Sequence, residues 1–146
     1  MANAGHRPSA GRVVHILARL LAAAGLAVDA AIHASLADQY DAVTATFGEG
    51  DLFRAEAALA CLAALLVLVW HRFPADAFAW LVAAGGLALL MIYRYIDVGA
   101  HGPFSDMYEP IWTTDKKITV VAQTVTIVAA TYLMVTDRSR RGARVV

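Results

Sequence analysis

Four apolar stretches dominate this chain of 146 residues, at about 13–36, 52–70, 77–96 and 118–136. Each is close to the ~20 residues that a helix needs to cross the hydrocarbon core of a bilayer. The second contains an unbroken apolar run from Ala57 to Trp70. The stretches are apolar all round, without the period-2 alternation of a membrane β-barrel. Lipid offers the backbone no hydrogen-bond partners, so helices are the remaining spanning solution. The expected fold is therefore all-α, an integral membrane four-helix bundle with antiparallel up-down topology. Short tails at 1–12 and 137–146 flank it. Composition agrees: 60% of residues are hydrophobic and 16% charged, against about 45–50% and about 25% in soluble domains. Such a chain is neither an ordinary soluble globule nor a disordered segment. Its net charge of zero gives no reason to expect nucleic acid. The single cysteine, Cys61, excludes an intramolecular disulfide and a Cys-rich zinc site, and its mid-span position reads as inert packing.

The connections support four spans. Phe47-Gly48-Glu49-Gly50-Asp51 separates the first two, and His71-Arg72-Phe73-Pro74 is a tight turn with Pro74 placed to open the third helix. Gly99, Gly102-Pro103 and Pro110 break the segment before the fourth. Asp51, Asp76 and Thr114 are the expected N-caps of spans two, three and four. The first span carries His15, Arg19, Asp29 and His33. A basic start before an apolar run also describes a signal peptide, here with cleavage near Ala34. Arg19 and Asp29 interrupt the apolar region and favour a retained span.

Charge is sorted by end. Arg7, Arg12, Arg19, Arg72, Arg138, Arg140, Arg141 and Arg144 flank the end that holds both termini, whereas Arg54, Arg94, Lys116 and Lys117 flank the other. Eight against four places both termini in the cytoplasm of an inner-membrane protein. The C-terminal arginines suit anionic headgroups. Ten of the twelve acidic residues lie toward the opposite end, all but Asp76 and Asp137. Orientation alone does not require that bias.

The unusual polar chemistry gathers at this acidic end. Asp29 and His33 lie one helical turn apart on one face of the first span. Antiparallel packing brings Glu56 of the second span to a similar depth. Ionisable residues inside spans face the bundle interior and find partners. Arg94 and Asp97, three apart, form an expected ion pair, and His101 and Glu109 lie on a loop placed to close over the cluster. Tyr93, Tyr95, Tyr108 and Trp112 read as an interfacial aromatic belt. The candidate ligand-binding set is Asp29, His33, Glu56, Arg94, Asp97, His101 and Glu109, with His33, Glu56 and His101 as candidate metal ligands. The same residues also suit plain helix-to-helix hydrogen bonding. His15 with His71, and His33 with His101, occupy opposite membrane surfaces as paired haem ligands would, but span ends enclose a haem poorly. Gln123 is expected to bond across helices, and Gly85-Gly86 to allow close helix approach. No catalytic triad, phosphate-cradling glycine loop or nucleotide motif is present in the sequence.

Asp29-Ala-Ala-Ile-His33, Gly50-Asp-Leu-Phe-Arg-Ala-Glu56, Tyr93-Arg-Tyr-Ile-Asp-Val-Gly99 and Gly102-Pro-Phe-Ser-Asp-Met-Tyr-Glu-Pro-Ile-Trp112 resemble segments of small four-span membrane proteins of actinobacteria. The resemblance covers nearly the whole chain. It implies the four-span architecture and brings no catalytic residue or cofactor. Two functions follow as expectations. One is an outward-facing binding or accessory site for a metal or other cation. The other is a structural subunit of a homo-oligomer or larger membrane complex, with the polar groups joining helices. A transporter is a third and lesser reading, because four short spans would need to oligomerise to enclose a pathway.

Overall fold

The computed structural model describes residues 9–42 and 48–142, with side chains described through Asp137. The tail residues 1–8 and 143–146, and Phe47 of the first connection, lie outside that description. Four helices follow in order: α1 (Ala10–Ala37), α2 (Glu49–Val69), α3 (Phe73–Tyr95) and α4 (Thr114–Gly142). All four are long and apolar enough to cross a membrane.

Contacts between ends establish the antiparallel arrangement. Arg19, early in α1, reaches the carbonyl of Val67, late in α2. At the opposite end, a side chain on Gly50 would collide with the carbonyl of Ala37, so the start of α2 lies against the end of α1. Asp29 of α1 meets Gln123 of α4, and Ala22 meets Thr126, so α4 also runs against α1. Each helix packs on two neighbours to close a ring: α1 beside α2 and α4, and α3 beside the same two.

The radial distribution of side chains is inverted relative to a soluble bundle. The core cluster contains Ala22, Ala30, Ala60, Ala63, Ala79 and Ala129 with only Leu26, Val67 and Val82 for bulk. Large aliphatic residues such as Leu21, Leu65, Leu81 and Val128 point outward and are more than half exposed. In water this would be an apolar surface far beyond what monomers tolerate. In lipid, where apolar side chains gain nothing by leaving the bilayer, small residues inside allow backbones to approach and gain dispersion contacts. Gly25 shows this directly: the hydroxyl of Thr126 and the carbonyl of Ala122 fill the space a Cβ would need. Cys61 lies on the exposed side of α2. It therefore does not pack in the core, contrary to its expected role.

The helix starts differ from the sequence expectation. α2 begins at Glu49 after an extended Gly48, and α3 begins after an extended Arg72 with Pro74 in its first turn. Asp51 and Asp76 therefore sit inside the first turns, where a carboxylate still favours the positive end of the helix dipole. Thr113, rather than Thr114, caps α4, its Oγ1 accepting from the Lys116 N–H at 3.2 Å. In α3 the reason is electrostatic. Asp76 is fully buried and engages Arg19, a stronger partner than an amide of its own turn.

Candidate functional site

One buried polar cluster lies toward the end of the bundle that carries the α3–α4 loop. Asp29 supplies its centre and is 1% exposed. His33, one turn later, places Nδ1 2.9 Å from the Asp29 carbonyl oxygen and 3.3 Å from Asp29 Oδ1. Both atoms are acceptors, so Nδ1 carries the hydrogen. From α4, Gln123 Nε2 donates to the same Oδ1 at 3.0 Å. From α2, Glu56 lies within electrostatic reach of both Asp29 and His33. α3 contributes a gap: a Cβ on Gly86 would come within 2.5 Å of Gln123 Nε2 and 2.9 Å of Glu56 Oε1. All four helices therefore build the site, three with side chains and one with the lack of one. Gly86 admits polar side chains here, whereas Gly85 has nothing within 4 Å of its would-be Cβ. The pair does not act together as the small-residue contact expected from sequence.

The donors and acceptors of the cluster do not balance. Asp29 Oδ2, Glu56 Oε1 and Gln123 Oε1 are buried and have no hydrogen-bond partner. All three are acceptor oxygens, so the site lacks hydrogen-bond donors or positive charge. A buried polar atom without a partner costs roughly 1–3 kcal/mol. Three in one place mark a site able to take a donor or a cation.

Above the cluster, Phe53 packs between His33 and Tyr40, with ring centroids 5.6 Å and 5.0 Å apart. The Tyr40 hydroxyl donates to Glu109 Oε2 at 3.4 Å, and Lys116 Nζ pairs with the same oxygen at 2.8 Å. Lys116 also donates to the carbonyls of Glu109 and Ile111, while Ser105 donates to Glu49. The loop 96–113 is thus fastened to the ends of α1, α2 and α4. Burial, reinforced by the carboxylates of Glu109 and Glu49, pushes the Tyr40 phenol above its usual pKa. Beside it, Arg54 gathers Asp38, Asp41 and Asp51 at 2.7–3.4 Å, and its hydrogen bond holds the Asp41 carboxyl below the usual range. These pairs are solvated and contribute little to stability.

Three expectations change. Arg94 and Asp97 form no ion pair: Asp97 Oδ1 accepts from the Gly99 N–H at 3.1 Å, and the Arg94 guanidinium lies over the rings of Tyr95 and Trp112. α3 ends at Tyr95, so the chain leaves helical geometry before Asp97 and the i, i+3 spacing no longer aligns the two. His101 is exposed and turns Nδ1 toward the Gly99 carbonyl. It stands in a turn bounded by Gly99 and Gly102, both in the left-handed region at φ +63° and +58°. Glu109 holds Tyr40 and Lys116 at the rim rather than contributing to the cluster. Among the described residues, no three His, Cys, Asp or Glu side chains are grouped to hold a metal. His33, Glu56 and His101 therefore do not assemble as the ligand set expected from sequence.

A second polar site lies at the termini end. Arg19 Nη1 is 3.0 Å from Asp76 Oδ1 and 2.8 Å from the Val67 carbonyl, and Nη2 is 3.3 Å from Asp76 Oδ2. One guanidinium thus caps the last turn of α2 and holds the first turn of α3. From sequence, Arg19 reads as an orientation signal and Asp76 as a cap, and nothing in either pattern joins the two. The available signal was Arg19 itself, a charge set well inside an apolar span. Compared with known protein families, curated proteins and solved structures, the chain matches none.

Proposed function

We propose that the protein is a membrane-resident cation-binding protein, whose buried site of Asp29, Glu56, Gln123 and His33 takes up a proton or an alkali cation. The observation that carries this reading is the set of three buried acceptor oxygens without donors. Two carboxylates face one imidazole. At this end Arg54 is engaged by three aspartates and Lys116 by Glu109, while the Arg94 guanidinium lies over Tyr95 and Trp112. A cation would balance the charge and give the oxygens a common partner. Oxygen acceptors suit hard cations.

Access favours binding over conduction. Toward the loop end, the cluster is covered by Phe53 and Tyr40. Toward the termini end, it is backed by Leu26, Val67 and the Arg19 clamp, all buried. The cluster is covered toward both ends and lies nearer the loop end. By the eight-to-four bias in basic residues, that end faces outward from a cell inner membrane and both termini lie in the cytoplasm.

Thermal unfolding in mild detergent tests the reading. Sodium chloride is compared with choline chloride at several pH values. A ligand that binds only the folded state stabilises it by RT ln(1 + [L]/Kd). The wild type should be stabilised by sodium, by acidification, or by both, and Glu56→Gln and Asp29→Asn should lose that response. A wild type indifferent to both, or variants that respond as it does, would refute the site. The second reading, an interhelical tie within a larger complex, is favoured by the Gln123–Asp29 bond. It predicts a stoichiometric partner retained through purification.

A further inference from the structure

Arg94 is a cation without a counter-ion. Among the described residues, the other basic side chains that are not fully exposed each face a carboxylate: Arg19 faces Asp76 and Lys116 faces Glu109. Even the exposed Arg54 has three. Arg94 has none, and its Nε is buried without a hydrogen-bond partner. The nearest carboxylate in sequence, Asp97, is turned to the Gly99 amide.

Arg94 is nevertheless held in place. Its Cζ lies 4.9 Å from the Tyr95 ring centroid and 5.2 Å from that of Trp112, and the two rings meet edge to face at 6.5 Å. Guanidinium stacks on aromatic faces and keeps its in-plane N–H groups free for a second partner. The setting is the last turn of a span. Ile96, two residues after Arg94, and Ile111, beside Trp112, are exposed at 54% and 66% and add apolar surface. Tryptophan and tyrosine at a span end sit at headgroup level. The anion met at that level is a lipid phosphate.

We infer that Arg94, stacked on Tyr95 and Trp112, binds the phosphate of a membrane phospholipid whose acyl chains lie along the exposed apolar side of α3. The guanidinium donates to the phosphate oxygens in its plane, while the rings fix its orientation. The site rests on the bundle lying in a bilayer and is independent of the cation cluster. Phosphatidylglycerol and phosphatidylethanolamine both satisfy it, because the phosphodiester is what they share.

Native mass spectrometry of the full chain released from mild detergent tests this, with phosphatidylglycerol, phosphatidylethanolamine or diacylglycerol added. Both phospholipids should be retained in preference to diacylglycerol. Arg94→Gln should lower phospholipid affinity about fivefold, the scale of one basic residue at a lipid surface. Arg94→Lys, which keeps the charge and loses the planar fork, should fall between. Helical circular dichroism confirms that each variant is folded. Equal retention of diacylglycerol and phospholipid by the wild type would overturn the inference without recourse to any variant. So would an Arg94→Gln protein that binds phospholipid as the wild type does, or displacement of the lipid by millimolar inorganic phosphate.

Discussion

Replacing Arg19 by methionine should destabilise the bundle more than most other single changes. The substitution keeps an unbranched apolar stem and removes three hydrogen bonds, one to Val67 and two to Asp76. At 3.0 Å and an effective dielectric of about 20, the ionic attraction is about 5–6 kcal/mol. Much of that offsets the cost of dehydrating both charges. The loss is nonetheless asymmetric, because Asp76 has no exposure and would remain as an unpaired buried carboxylate. Breaking one side of such a pair costs about 3–5 kcal/mol, whereas replacing both sides by apolar residues is often close to neutral. Arg19→Met and Asp76→Leu should therefore each be severe, and the double variant should recover most of the loss. Reversible unfolding in mixed micelles, followed by circular dichroism, gives the coupling from a double-mutant cycle. Polar contacts between membrane helices average only about 0.6 kcal/mol. Single losses of that size, or strict additivity, would refute the view that Arg19 locks the termini end.

Four further outcomes are expected. Gly86→Ala should abolish the sodium or pH response by displacing Glu56 and Gln123, while Gly85→Ala, which meets nothing within 4 Å, should be neutral or stabilise by up to about 1 kcal/mol; parallel melting curves with and without sodium separate the two. A double-mutant cycle on Arg94 and Asp97 should show additivity within about 0.5 kcal/mol, since the two make no pair. Cysteine placed at Gly48 or Ser105 should react with an impermeant thiol reagent in intact cells, and cysteine at Ser139 only after the membrane is opened; the reverse pattern would invert the orientation. Tyr40 has a raised pKa in the fold, so its contribution should be fully present below the ordinary phenol pKa of about 10 and lost as pH rises through the higher folded value; Tyr40→Phe should remove that alkaline transition from a pH series of melting curves.

The number and type of the helices are legible in the sequence because lipid leaves so few solutions for an apolar run of that length, whereas each helix starts three or four residues before the apolar run it contains. The contact of Asp29 with His33 is legible too. It needs only helical spacing along α1. What escaped depended on geometry beyond one helix. Arg94 and Asp97 have the right spacing for a helical pair, but the helix ends between them. Arg19 and Asp76 lie in different spans and have no shared pattern. Gln123 stood out as the polar centre of α4, yet its partner, Asp29, is 94 positions away. Thr113 and Thr114 are adjacent and chemically alike, and only the hydrogen bond to Lys116 distinguishes which one caps.

The Arg19 clamp has a consequence for how the chain is made. A nascent chain lengthens from its N-terminus, so Arg19 is synthesised 57 residues before Asp76, and Asp29 precedes Gln123 by 94. For that interval, α1 holds Arg19 without its carboxylate, and Asp29 with only His33 beside it, on a segment otherwise suited to lipid. An isolated α1 in the hydrocarbon core would bear the full burden of both. The final seating of α1 among its partners therefore waits for α3 and then α4, although its synthesis comes first. Truncation after α2 should leave a fragment recognised and degraded as unfinished. The buried charges thus tie the final seating of the first helix to the later ones.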